Sequence, residues 1–227
     1  MALSHAWNPP ALAWLSLVLV LSAEGSQRCQ VEGECACLLH KSTRLSRLME
    51  KQAEDLRTTY MSSQGDFSEM FCKLSVKEVP RAEITGYGTL ERLRSVHTTL
   101  GLFRQHIAVV TEEQKNLQDS ENPLLKELLE AQDQIANLDA SVRRLLQTLH
   151  PNEPPEVAGP GRGPAPGPAP GPARNTFQQK IYGCAVLTNH RDFLSHVWQE
   201  LKDLKLNGQT CVSRKGRSIR GARARTS

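Results

Sequence analysis

Four stretches of the chain repeat their apolar residues every three or four positions, as a helix with one buried face requires. The first spans residues 37–60, with Leu38, Leu45, Leu48, Met49, Leu56 and Tyr60 on one broad face. The second spans 89–117 and carries Leu90, Leu93, Val96, Leu100, Phe103, Ile107 and Val110. The third, 123–150, is the most regular. Leu124, Leu128, Ala131, Ile135, Leu138, Val142, Leu145 and Leu149 alternate steps of four and three, a heptad stripe. Pro123 suits its first position and Pro151 stops it. The fourth spans 176–206, with Phe177, Ile181, Cys184, Leu187, Leu194, Val197, Leu201 and Leu204. Thr176 and Gln179 have capping-box spacing at its start, and Gly208 follows its end.

Helices of this length reach roughly 35–45 Å at 1.5 Å per residue. Four of them, each with one apolar face, predict an all-α four-helix bundle. The connections select the topology. Helices two and three are joined by a short link, which forces antiparallel neighbours. The links before and after that pair, residues 61–88 and 151–175, are long enough to run the length of the bundle. Long, short, long predicts an up-up-down-down arrangement with two crossover loops. The second crossover is low in complexity. Nine of the 13 prolines fall in residues 151–172, including a Gly-Pro-Ala-Pro repeat over 163–173. Such a segment favours extended polyproline-type chain. A linker between two domains is a poor alternative, because the fourth helix alone cannot bury its stripe.

Leucine dominates the apolar residues and aromatics are 5% of the chain, which favours helices over a β-sandwich. An apolar run from Ala11 to Ala23, too short to span a bilayer, ends in Ala23-Glu24-Gly25. It reads as a signal peptide over residues 1–25, cleaved near Gly25–Ser26 and exporting the chain. Its leading part has His5 but no Lys or Arg, so an uncleaved anchor is the alternative. No other segment is apolar enough for membrane insertion. Residues 26–211 then form the folded domain and 212–227 a basic, disordered tail. Six cysteines remain: Cys29, Cys35, Cys37, Cys72, Cys184 and Cys211. In an oxidising compartment they read as three disulfides, with 15 possible pairings. The net charge of +4 includes six cations after Cys211 and no acid there, so the rest of the chain is near −2. That balance gives no reason to expect nucleic acid. The tail's composition fits a solubilising end, a contact with heparan sulfate or another polyanion, or a segment trimmed at its basic residues.

Two short stretches resemble a known family. One is Tyr60-Met61-Ser62-Ser63-Gln64-Gly65-Asp66, at the end of the first helix. The other is Phe177-Gln178-Gln179-Lys180-Ile181-Tyr182-Gly183-Cys184, at the start of the fourth. With the helix order they resemble the leukaemia inhibitory factor and oncostatin M branch of the interleukin-6-type cytokines, nearest to its oncostatin M-like members. The resemblance covers residues 35–206. It implies a secreted cytokine that brings together class I receptor chains: a shared signal-transducing glycoprotein, and a leukaemia inhibitory factor or oncostatin M receptor. Receptor-associated tyrosine kinases and transcription factors would follow. It implies a Cys72–Cys184 disulfide, which the bundle topology also allows. Relatives place cysteines late in the third helix, and residues 140–149 have none. Cys211 can substitute, pairing with Cys35 or Cys37 and leaving Cys29 for the other.

The resemblance also assigns Phe177 and Lys180 to receptor binding, as an aromatic anchor with a charged neighbour. The bland alternative is a Phe177 that packs on Ile181 and a solvated Lys180. Lys180 sits in a first helical turn, where the dipole disfavours a cation, and this leans toward a functional role. Ser42, Ser46, Gln134 and Asn137 are positional candidates for the shared receptor. Cys35, Cys37 and His40 lack a fourth ligand nearby, so no metal site is expected. His190 with Asp192, and His196 with Glu200, are polar helix neighbours before they are acid–base pairs. No nucleophile motif or phosphate-binding loop occurs. The expectation is a non-enzyme without cofactor, monomeric until it meets its receptors. The competing reading is a secreted amphipathic-helix lipid carrier, which a disulfide locking the fourth helix would oppose.

Overall fold

The computed structural model describes residues 33–65, 68–74, 76–150, 174–206 and 211. They form five helices: α1 (Glu34–Ser63), α2 (Ser68–Phe71), α3 (Thr89–Lys115), α4 (Pro123–Leu149) and α5 (Thr176–Leu206). The expected signal peptide, nearly all of the Pro/Gly crossover and the basic tail lie outside the described residues. The single turn α2, within the first crossover, was not expected from the pattern. No described helix is long and apolar enough to cross a membrane.

The four long helices form the bundle. Packing joins α1 to α5 and α4, and α3 to α4 and α5. Cross-helix contacts give the directions. Arg92 meets Glu200 and His106 meets Tyr182, so α3 and α5 are antiparallel. His97 meets Asp139 and Gln132 meets Thr111, so α3 and α4 are antiparallel. Gln64, just past α1, bonds Gln114 at the end of α3, so these two share a direction. The topology is up-up-down-down. The described residues between α1 and α3 carry the chain along the bundle, with Pro80 and Ala82 bonded to Asn189 and His196 of α5, and the short turn of 116–122 reverses it.

The heptad stripe of α4 is the buried one. Leu124, Leu128, Ile135, Leu138, Val142 and Leu145 have no exposed surface. Asn122 caps this helix, accepting from the Leu124 N–H at 3.0 Å, with Pro123 at the first position. In α3, Leu93, Val96, Leu100, Phe103, Ile107 and Val110 are equally buried.

The face of α1 differs from the expected one. Leu48 is exposed, and Leu38 and Leu45 are only partly buried. The inward face is Leu39, Ser42, Thr43, Ser46, Met49, Ala53, Leu56 and Tyr60. Thr43 and Ser46 satisfy their hydroxyls on the carbonyls of Leu39 and Thr43, at 2.7 and 3.0 Å. A hydroxyl that bonds its own helix enters a core without an orphaned donor, which a hydrophobicity pattern cannot register. In α5 the stripe is filled by Tyr182, Val186, His190 and Phe193 as well, while Phe177 lies outside it.

Two disulfides tie the bundle. Cys35 bonds Cys211, joining the start of α1 to the chain just past α5, with Cα atoms 5.5 Å apart. Cys72 bonds Cys184, joining the first crossover to α5, with Cα atoms 5.1 Å apart. Cys37 is also disulfide-bonded, and Cys29 lies outside the described residues.

Candidate functional site

The two stretches singled out in the sequence pack against each other at one end of the bundle. Gly183 lies against Tyr60 so closely that a Cβ there would be 2.2 Å from the phenol oxygen. The Tyr60 hydroxyl donates to the Lys180 carbonyl at 3.2 Å and accepts from Gln114 Nε2 at 3.4 Å. Burial, and then the charge of Glu113, push its phenol far above the usual range, so it stays a neutral donor. Gln64 Nε2 donates to Gln114 Oε1 at 2.9 Å, and Gly65 turns the chain away at φ +89°. Both motifs are therefore built into one contact, which explains why they occur together.

The candidate residues sit on top of that contact. The start of α5 is set one residue earlier than the expected capping box. The Gln178 N–H donates to Asn175 Oδ1 at 2.9 Å, and the Asn175 N–H donates to Gln178 Oε1 at 3.0 Å. Asn is a better N-cap than Thr, and Gln178 has the reciprocal spacing that was assigned to Gln179. Gln179 instead donates to the Arg174 carbonyl at 3.0 Å.

Phe177 is 54% exposed, and its ring meets Phe71 of α2 edge-on at 5.2 Å. It therefore stands at the surface, braced by a second aromatic. Met70, beside Phe71, is exposed too. Lys180 is half-buried, and its Nζ donates to the Gln64 carbonyl at 2.9 Å. Gln64 caps α1, whose last turn has no basic residue of its own. Lys180 thus pairs with the negative end of α1, which offsets its unfavourable place at the start of α5. A cation in the first turn of α5 therefore has a structural reason, independent of any receptor contact.

Arg174 fastens the same end. Its guanidinium donates to Glu113 at 3.0 Å and Glu78 at 3.1 Å, and stacks 3.7 Å from the Tyr182 ring centroid. Tyr182 in turn is hydrogen-bonded to His106 Nδ1 at 2.7 Å. Burial pushes the Tyr182 phenol up to about 12, and burial followed by the Arg174 charge lowers His106. Burial also raises the Glu113 carboxyl, against the pull of Arg174. Arg174→Ala is expected to lose about 2 kcal/mol in urea unfolding, because Glu113 is left half-desolvated without its cation. A loss under about 0.5 kcal/mol would mean the clasp is no better than a surface ion pair.

Two signals for this region went unread in the sequence. Asn175 is the stronger cap. Phe71 adjoins Cys72, whose bridge to Cys184 brings it within two turns of Phe177.

The remaining candidates separate. Ser42 and Ser46 have no exposed surface and cannot touch a partner. The close approach of neighbouring helices to these small side chains is the reason. Asn137 is exposed, and Gln134 lines a cavity of about 220 Å³ between α1 and α4 with Met49, Gln52 and Leu56. His190 closes that cavity, fully inside the core and far from an acid–base role with Asp192. His196 Nδ1 contacts the Ala82 carbonyl at 2.9 Å, and Glu200 pairs with Arg92, so these two do not form a pair either. Cys35 and Cys37 are oxidised, and His40 Nδ1 lies 2.8 Å from Lys205 Nζ. Among the described residues no cluster of His, Cys, Asp and Glu could hold a metal ion.

Comparison with known proteins agrees with the bundle and its motifs. A family model described as the LIF / OSM family (leukaemia inhibitory factor and oncostatin M) matches residues 37–201, well over half the chain. No curated protein and no solved structure matches. The family is one of helical cytokines of the interleukin-6 type, which are not enzymes. Carrying that match from the first turns of α1 to the last of α5, the chain belongs to the LIF / OSM family.

Proposed function

We propose that this protein is a secreted cytokine that brings together two class I receptor chains, one of them the shared signal-transducing glycoprotein. The second is the leukaemia inhibitory factor receptor or the oncostatin M receptor. Holding two ectodomains on one rigid bundle raises the effective concentration of their cytoplasmic tails, and the kinases bound to those tails then activate each other. The observation that carries the reading is Phe177: a large aromatic, half out in solvent, on a capped helix start within the family's motif. An exposed aromatic held rigidly loses little entropy on binding, which is what an interface anchor needs. Of the positional candidates for the shared receptor, Asn137 on α4 is exposed and Gln134 half-buried, so these two stay open as candidates. The two disulfides, each fixing one end of α5, oppose the helix opening that a lipid carrier would need.

The test is binding of the mature chain to immobilised receptor ectodomains. Phe177→Ala is expected to weaken binding to one receptor at least tenfold, about 1.4 kcal/mol. Its folding stability should fall by no more than about 1 kcal/mol, since half the side chain is exposed and only the edge-on contact with Phe71 is lost. Lys180→Ala is expected to weaken the same receptor and also to lose about 1 kcal/mol of stability with its bond to Gln64. Wild-type binding with an unaltered Phe177→Ala variant would remove this site. No binding to any receptor would remove the cytokine reading of this chain.

A further inference from the structure

The half of the α1–α5 seam farthest from Phe177 carries cations with no carboxylate against them. Arg44, Arg47 and Lys51 of α1 are exposed and separated by three and four residues. They share a strip roughly 10 Å long on one side of that helix. Across the seam α5 presents Lys202 and Lys205, also exposed. Trp198 lies between the two rows. The Arg47 guanidinium is 5.3 Å and the Lys202 ammonium 5.1 Å from its ring centroid. Cation–π attraction thus holds two of the charges in place. Lys205 is fixed against His40 at 2.8 Å.

None of these five cations has an ion-pair partner among the described residues. Elsewhere on the seam the charges are neutralised: Arg57 and Arg191 both meet Glu54. Glu50, which falls among the five in sequence, turns into a separate groove with Arg81 and Arg191. Asp203 follows Lys202 but lies about 100° further round α5. Like charges held together without counter-charge cost stability, so an external anion gains both the attraction and the relief.

The Cys35–Cys211 disulfide closes the bundle at this end of the seam. It fixes the chain's exit from α5 at the start of α1, beside His40 and Lys205. We infer that this seam binds a sulfated polysaccharide. Sulfate esters accept charge-assisted hydrogen bonds from guanidinium and ammonium donors, and a disulfide-bonded chain meets such polymers outside cells. Two cations already lie within about 5 Å of the Trp198 ring centroid, which leaves less of the ring for stacking bases. The seam lies some 20 to 30 residues along α5 from Phe177, roughly 30–40 Å. The protein can therefore be held on a matrix while its receptor-facing end stays free.

The experiment measures the mature chain on immobilised heparin at about 150 mM salt, where weak long-range attraction is screened. Arg47→Gln/Lys202→Gln/Lys205→Gln, with the tail intact, is expected to bind at least tenfold more weakly than wild type. Lys77→Gln/Arg104→Gln/Arg144→Gln makes the same charge change at other exposed sites and is expected to stay within about threefold. Circular dichroism confirms that both variants are folded, and desulfated heparin is expected not to compete with wild-type binding. The inference is overturned if the two triple variants weaken equally, or if the seam variant binds like wild type while a chain with all six tail cations changed to glutamine does not bind. It is also overturned if phosphatidylserine vesicles or RNA bind wild type as tightly as heparin at the same salt.

Discussion

Gly183→Ala is expected to cost about 3 kcal/mol and to lower receptor affinity at the start of α5. The added Cβ would fall 2.2 Å from the Tyr60 hydroxyl oxygen and 2.6 Å from its Cζ, and neither side can yield easily. Tyr60 is 1% exposed, and its hydroxyl is engaged from α5 and from Gln114. The α5 backbone is pinned on the other side, because Cys184 bonds Cys72 and Arg174 stacks on Tyr182. Overpacking of this kind costs about 1–3 kcal/mol, and expelling a buried aromatic adds to it. A double-mutant cycle isolates the cause. Tyr60→Leu is destabilising alone, but with the ring gone Gly183→Ala should add little, giving a coupling of at least about 1 kcal/mol. Additive effects in chemical denaturation would show that the close approach is not what Gly183 is for. The functional consequence comes through Lys180, whose carbonyl Tyr60 holds and whose ammonium reaches Gln64.

Acid is expected to destabilise the bundle chiefly through His190, with His106 acting in the same direction. The His190 ring is buried beside Phe103, with neither nitrogen hydrogen-bonded. Burial lowers its pKa from 6.5 to about 4. Asp55, Glu127 and Glu130 line the same cavity, but burial dominates. The folded protein therefore keeps His190 neutral where the unfolded chain has already taken a proton. Stability attributable to this group is complete above pH about 6.5, falls as pH drops from about 6.5 to about 4, and then levels. Between pH 7.5 and 4.5 the loss is about 2.5 kcal/mol. Urea unfolding of wild type and His190→Phe at several pH values reads it directly. The variant, whose ring keeps the contact with Phe103 and cannot take a proton, should gain on wild type as pH falls. Parallel stability curves would mean that the folded state protonates His190 after all, by opening the cavity to water.

The functional end was partly legible. Phe177 and Lys180 were visible because the family's motif stands at a helix start. Their environments were not. Lys180 is charge-matched by the end of α1, a residue 116 positions away in the chain, and Phe177 is braced by Phe71 from another element. Ser42 and Ser46 show the reverse error. Polar residues on a mostly polar helix read as surface, yet here they are the small side chains that let helices approach.

The amino-acid order by itself determined the four helices, their near-boundaries and the topology. Those follow from apolar periodicity, from the prolines that start and stop the third long helix, and from loop lengths, which are properties of local sequence. The heptad run of α4 needed no tertiary knowledge, since a stripe that regular has only one face to bury. What the tertiary structure alone decided is which side of α1 turns inward and which charges stay unpaired. Leu48 points out because α5 and α4 close on the Ser46 and Ala53 side, a choice made by two neighbouring helices. Arg47, Lys202 and Lys205 are ordinary surface residues in sequence and become one unneutralised patch only when α1 and α5 lie side by side. Charge and shape that arise from residues about 150 positions apart have no local signature, so only packing could reveal them.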